Sequence, residues 1–69
     1  MIRTTREQRE ALSRVYQRQH PIPVHPANQR AWFKGYMAFR KTVQGGPGCI
    51  MVHWAGMWLG IEPDGYTHS

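Results

Sequence analysis

The residues of this chain that could do chemistry are its single cysteine and its four histidines. Cys49 and His53 are four positions apart, so an extended strand would place both side chains on one face. A thiolate beside an imidazole could act as a nucleophile with its base, or could provide two ligands for a zinc ion. His20 and His25, on either side of a proline-rich stretch, are the other candidate zinc ligands.

The simpler interpretation of these residues is structural. No second cysteine is present, and the spacing matches no common zinc module. A cysteine within a run of Val, Ile and Met is typical of a small core residue. Glu62 and Asp64 lie in a turn-forming sequence, where carboxylates are well solvated and poorly suited to acid–base catalysis. We therefore assign no catalytic residue, no metal ligand and no cofactor, and we predict that the protein is not an enzyme.

Size and composition indicate a single domain, residues 1–69, in a reducing compartment. The chain has three Trp, three Tyr and two Phe, and 41% of its residues are hydrophobic, which excludes a disordered tail. A domain of this length buries only about 60% of the surface that its unfolded chain exposes. The single cysteine excludes an intramolecular disulfide. No apolar run reaches the roughly 20 residues of a membrane span, and none follows the basic N-terminus, so we predict neither a membrane segment nor a secretory signal.

The net charge of +5 is concentrated in the first part of the chain. The segment from Arg3 to Lys41 contains all nine Lys and Arg residues and two of the four acidic residues, so its net charge is +7. Residues 42–69 carry a net charge of −2. Such an asymmetry predicts a positive face that binds nucleic acid, an acidic protein surface or a phosphorylated ligand. The alternative is that the charge serves solubility. The candidate basic surface comprises Arg6, Arg9, Arg14, Arg18, Arg30, Lys34 and Lys41.

The first predicted element is a helix over residues 5–19. Thr5 with Gln8, or Thr4 with Glu7, fits a capping box, and apolar residues recur at helical spacing after them. Three of the six residues that follow His20 are proline, which disfavours helix and predicts an extended connector over residues 20–26.

A second helix is predicted over residues 28–44. Its aromatic residues fall into one stripe opposite the basic residues, and we assign this stripe to the core. The stripe contains Trp32, Tyr36 and Phe39, whereas Phe33 and Met37 lie between it and the basic side. A glycine-rich turn at residues 45–48 ends the helix.

The last third of the chain, residues 49–69, reads as a β-meander. Two alternating runs, over residues 49–54 and 57–61, predict strands joined by a tight turn, and a Glu-Pro-Asp-Gly turn precedes a short third strand. The predicted fold is therefore α+β, with two helices packed on one face of a small three-stranded antiparallel β-meander.

The aromatic residues of the strands are candidates for a protein interface. Trp58 lies on the strand face opposite Met57, Leu59 and Ile61, so helices on one side of the sheet would leave one of these faces exposed. Large exposed aromatic residues mark interfaces, unless the proline-rich connector covers them. The candidate partner-binding residues are Trp54, Trp58, Phe33 and Met37.

Three segments of the chain resemble a family of small tailed-bacteriophage proteins. They are residues 5–12 (TREQREAL), 39–44 (FRKTVQ) and 56–69 (GMWLGIEPDGYTHS). The resemblance covers about half of the chain, and its ending is the distinctive part. It implies a viral protein made inside a bacterium, located in the phage virion or in the host cytoplasm, and it transfers no site residues because no activity is known for that family.

These observations predict a small basic binding protein of phage type. The first hypothesis is a virion-associated structural or assembly protein, which binds a phage structural protein and would gain burial from neighbouring copies, including copies of itself. The alternative is an inhibitor of a host or anti-phage defence protein. A second alternative is a nucleic-acid-binding accessory protein that uses the basic residues, with affinity that falls steeply with salt.

Overall fold

The structure, a computed structural model, describes residues 3–45 and 48–69. Within these residues the chain forms two helices followed by a four-stranded antiparallel sheet, with the strands in chain order. The elements are α1 (Arg6–Gln19), α2 (Pro26–Arg40), β1 (Gln44–Gly45), β2 (Ile50–Trp54), β3 (Met57–Ile61) and β4 (Thr67–His68). The α+β class is confirmed, and β1 is a strand beyond the predicted three. Residues 1–2 of the basic N-terminus and residues 46–47 of the glycine-rich turn lie outside the described residues.

Helix α1 begins with the capping box that its sequence predicts. The Thr5 hydroxyl oxygen accepts from the Gln8 backbone N–H at 3.0 Å, and the Gln8 side-chain oxygen accepts from the Thr5 N–H at 2.9 Å. Because Thr5 is the extended cap residue, the helix itself begins at Arg6. It ends at Gln19, where the His20 N–H still donates to the Tyr16 carbonyl at 3.0 Å before Pro21 stops the helix.

Helix α2 begins two residues before the predicted start of 28. His25 is its cap residue, and the ring Nδ1 accepts from the Ala27 N–H at 3.3 Å. Pro26 takes the first helical position, where its missing N–H has no intrahelical partner to lose. The extended connector therefore ends at His25.

The end of α2 is a larger correction, because the helix stops at Arg40 and not at the predicted residue 44. The Thr42 N–H donates to the Phe39 carbonyl at 3.0 Å and the Val43 N–H to the Arg40 carbonyl at 3.3 Å, so the last turn tightens and leaves the helix. Gln44 and Gly45 then pair with β2 as strand β1. Helical periodicity could not reveal this pairing, because the partner strand follows later in the chain.

The alternation of side chains gives the sheet two different faces. The inner face packs against the helices and carries Ile50, Val52, Trp54, Leu59 and Ile61. The other side of the sheet, which we call the outer face, carries Cys49, Met51, His53, Trp58, Glu62 and His68. Ala55 and Gly56, both with positive φ (53° and 81°), form the tight turn between β2 and β3 and set this register.

The core lies between the helices and the inner face. Its buried apolar residues are Ala11, Leu12, Val15, Tyr36, Phe39, Val43, Ile50, Val52 and Ile61. Beside it, Tyr16 contacts the rings of Phe39 and Trp54, with centroid distances of 5.4 and 6.0 Å. Gly35 of α2 lies directly against the Tyr16 hydroxyl, at a distance that leaves no room for a β-carbon. This close approach explains a glycine in the middle of a helix, where it otherwise costs about 1 kcal/mol relative to alanine.

Candidate functional site

The outer face carries an exposed group of side chains near the β2–β3 turn, formed by Trp58, His53 and Met51, which we call the aromatic centre. Trp58 on β3 is directly opposite His53 on β2, and the two ring centroids are 5.2 Å apart. Trp58 is 46% exposed although it is among the largest apolar side chains of the protein. Met51, two residues before His53, continues the same face and is half-buried. The centre therefore offers apolar and aromatic surface to solvent.

The four candidate partner-binding residues do not form one surface. Trp58 and Phe33 are exposed, Phe33 to 56%, but Phe33 lies on α2 and Trp58 lies on the outer face. Trp54 packs into the inner face, with its ring 5.0 Å from that of Phe39. Met37 is half-buried and packs against the core as well. Only Trp58 of the four combines exposure with a position on the outer face.

The candidate basic residues are all exposed and lie on or beside the helices. Arg6 pairs with Glu10 through an Nε–Oε1 distance of 3.2 Å, and Arg9 donates to the Thr4 carbonyl at 2.7 Å. The strands contain no Lys or Arg, since the last basic residue of the chain is Lys41. The basic surface and the outer face are therefore different regions of the molecule.

Tyr36 lies where the two helices meet, close to two arginines. Its hydroxyl donates to the Arg9 carbonyl at 3.0 Å, and the Arg40 guanidinium lies 5.9 Å from the ring centroid. Burial raises the pKa of Tyr36 above its ordinary value, although the charges of Arg40 and Arg9 act in the opposite direction. Tyr36 is thus a neutral hydrogen-bond donor that ties α2 to α1.

A second cluster lies at one end of the outer face and consists of Cys49, Glu62 and His68. The Cys49 Sγ is 3.9 Å from the His68 Nε2, and that nitrogen is 3.3 Å from the Glu62 Oε1. All three donor atoms lie within 4.8 Å of one another. Cys49 and Glu62 are half-buried, whereas His68 is exposed. Sulfur, imidazole and carboxylate donors in this arrangement are chemically suited to a divalent transition metal.

The histidines considered with Cys49 from the sequence have other positions. His53 shares the outer face with Cys49, but its ring lies against Trp58. His20 stacks on Tyr16 with centroids 4.6 Å apart, and its carbonyl accepts from the Trp32 indole N–H. Sequence spacing did not single out His68, because its approach to Cys49 depends on the turn at residues 62–65. That Glu-Pro-Asp-Gly turn was the available signal, since it returns the chain beside β3.

Comparisons with models of protein families, with curated proteins and with solved structures found no match. Among the described residues, no helix is both long enough and apolar enough to cross a membrane. The outer face, the cluster at its end and the basic helical surface are therefore the features from which function can be inferred.

Proposed function

We propose that the protein is a non-enzymatic, phage-type protein-binding module with a structural or assembly role in the virion. In this proposal the outer face docks on a phage structural protein, and Trp58 is the central contact. The observation that carries the proposal is the 46% exposure of Trp58, which lies on this face near the β2–β3 turn.

The position of Trp58 favours binding over a role in folding. Tryptophan is enriched among the few residues that supply most of the energy of protein interfaces, because a large rigid ring loses little entropy when it is buried. Trp58 has neighbours that extend its apolar surface, namely His53 across the strand pair and Met51. A partner that covers this centre would remove the remaining exposed surface of all three side chains.

The charge distribution supports docking of the same face. The buried centre of a protein interface is depleted in charged residues, lysine among them. Residues 42–69 contain no Lys or Arg, so the outer face meets this condition for basic residues. The edge strands β1 and β4 have only two residues each, which leaves little unpaired backbone for a further strand. Docking would therefore proceed through side chains and not through extension of the sheet.

The basic residues give the opposite side of the molecule a different chemistry. They are exposed on the helices, whereas the aromatic centre lies across the sheet from the helices. A molecule with an apolar face and a basic side suits an assembly protein, which joins an apolar surface of one component to an acidic surface of another. The resemblance of residues 56–69 to tailed-phage proteins implies a phage setting, and within that setting an assembly role belongs to the virion.

The test is quantitative mass spectrometry of purified particles of a phage that encodes the chain. We expect tens to hundreds of copies per particle. Trp58→Thr should lower the copy number at least about tenfold, because it removes the central contact. The matched control is Ile22→Thr in the connector, since Ile22 is similarly exposed at 49% and should leave the copy number unchanged.

The outcomes separate this proposal from its alternatives. Absence from particles, with the protein present in infected cells, would reject the virion role and favour an inhibitor of a host or defence protein. If the copy number is unchanged by Trp58→Thr, the outer face is not the docking surface. If binding to particles also falls steeply with salt in that case, nucleic-acid binding through the basic residues replaces the proposal.

A further inference from the structure

We propose that Cys49, Glu62 and His68 form a binding site for a divalent transition-metal ion, with zinc as the ion that fits best. This inference does not rest on the proposed function, because it concerns the isolated chain. With bond lengths of 2.0–2.3 Å, two ligand atoms of a tetrahedral zinc ion are separated by about 3.3–3.8 Å. The observed separations of 3.3 Å between Nε2 and Oε1 and 3.9 Å between Nε2 and Sγ are close to these values.

The geometry favours a metal site over a catalytic triad. In a Cys–His–Glu triad, one ring nitrogen takes the thiol proton while the other nitrogen is oriented by the carboxylate. Here a single nitrogen, Nε2 of His68, is the atom nearest both to the Cys49 Sγ and to the Glu62 Oε1. One nitrogen cannot serve both functions of the base. Three donor atoms that all lie within 4.8 Å of one another are instead what an ion requires.

A simple ion pair is also a weaker explanation of the cluster. His68 and Glu62 are both 44% exposed at their side chains, and an exposed pair of this kind contributes little to stability. The pair gives no reason for the third donor, Cys49, to lie beside the same nitrogen. A metal ion accounts for all three side chains together.

The sheet holds the three side chains from three neighbouring strands. Cys49 directly precedes β2, Glu62 directly follows β3, and His68 lies in β4 opposite Gly60. The His68 ring lies over Gly60, where a β-carbon would be 2.6 Å from Cε1 and 2.9 Å from Nε2. The glycine therefore provides the space in which the imidazole reaches the other two donors.

A buried glutamine is hydrogen-bonded to the backbone beside the other two ligands, Cys49 and Glu62. Gln8 is 1% exposed, and its side-chain N–H groups donate to the carbonyls of Gly48 at 2.7 Å and Ile61 at 3.1 Å. These two carbonyls belong to the residues immediately before Cys49 and Glu62. The backbone at both ligands is thus tied to one rigid amide, as expected of a binding site that is held in place by the fold.

The donor set selects the ion. A thiolate and an imidazole favour zinc and cobalt over magnesium and calcium, which prefer oxygen ligands. Three protein ligands leave the fourth tetrahedral position to water or to a side chain of another molecule. The partial exposure of the cluster gives the ion a path from solvent.

The test is titration of the purified full chain with zinc chloride and, separately, with cobalt chloride. We expect one ion per chain, a cobalt–thiolate charge-transfer absorption, and a melting temperature that rises with added zinc because the ion binds the folded state. Cys49→Ser should abolish the charge-transfer absorption and weaken binding by more than about tenfold, and His68→Gln should weaken binding to a similar extent.

The control is His53→Gln, which removes a histidine of the same face outside the cluster. It should leave stoichiometry, affinity and absorption unchanged. The site would be rejected if Cys49→Ser and His68→Gln, shown by circular dichroism to be folded, bound zinc as tightly as the unmodified chain. Absence of binding at millimolar zinc would also reject it. Incorporation of the chain into phage particles is measured separately, so failure of the metal site and failure of the proposed function are distinguishable.

Discussion

The two faces of the sheet are built from the same strands but have different surroundings. On the inner face, Ile50, Val52 and Ile61 are fully buried under the helices. On the outer face, Trp58 is 46% exposed and His68 is exposed. Folding requires the residues of the inner face, because they form the core, whereas it does not require a tryptophan or a Cys–Glu–His cluster on the outer face. The difference separates residues selected for stability from candidates for function.

The largest effect should come from a residue that packs on the inner face. Leu12 of α1 is fully buried in the core, so Leu12→Ala should lower the free energy of unfolding by about 2–5 kcal/mol through lost burial and a cavity. For a domain of this size that is a large share of the total stability. Urea denaturation followed by circular dichroism measures the loss.

The counterpart on the outer face is Trp58→Thr. Threonine suits a strand, and the cross-strand contact with His53 contributes about 0.2–1 kcal/mol, so the stability should fall by about 1 kcal/mol or less. If Leu12→Ala and Trp58→Thr lowered the free energy of unfolding equally, the outer face would be part of the core. The two faces would then not differ in their contribution to stability.

Periodicity in the sequence predicted this two-faced arrangement well. It separated Trp58 from Met57, Leu59 and Ile61, because strand residues alternate whatever lies above them, and it left open which of these two faces meets the helices. The capping box at Thr5 also needs only neighbouring residues, and it formed as predicted. Features that depend on residues close in sequence were therefore accessible without a structure.

Features that depend on strand pairing were not accessible in this way. Gln44 was assigned to α2, but it pairs with Met51 because β2 offers it a partner. Trp54, a candidate interface residue, is partly buried and packs against the core through the pairing of β2 with β3. The cluster of Cys49 with Glu62 and His68 joins residues 13 and 19 positions apart, and only the registers of β2, β3 and β4 bring them together.

The third prediction concerns Gln8, a buried residue that is hydrogen-bonded to the backbone beside Cys49 and Glu62. Gln8→Leu keeps most of the volume but leaves the carbonyls of Gly48 and Ile61 without their donor. An unpaired buried polar group costs about 1–3 kcal/mol, so the free energy of unfolding should fall by an amount in this range. Urea denaturation measures it.

Gln17→Leu is the matched control for this substitution. The Gln17 amide donates to the Ser13 hydroxyl of the same helix, at 3.0 Å, so its loss should cost less than about 0.5 kcal/mol. If the two glutamine variants were equally stable, Gln8 would not be a link between the core and the backbone beside Cys49.

The last prediction concerns a polar group between the two helices, the Tyr36 hydroxyl. Tyr36→Phe removes the hydrogen bond to the Arg9 carbonyl and should lower the free energy of unfolding at pH 7 by about 1 kcal/mol. Tyr66→Phe is the control at the same pH, because Tyr66 is 59% exposed and should change stability by less than about 0.5 kcal/mol.

The difference between the Tyr36→Phe variant and the unmodified chain should depend on pH in one direction. Burial raises the pKa of Tyr36 in the folded state, whereas the unfolded chain has the ordinary value of 10.0, so the unfolded state loses this proton first as the pH rises. The stability contributed by the neutral hydroxyl is therefore complete below pH 10.0 and declines as the pH rises from there through the folded-state pKa. Urea denaturation between pH 7 and 11 should show the two proteins converging at the alkaline end. A stability difference that grows with pH would mean that the two arginines determine the titration of Tyr36 and that burial does not.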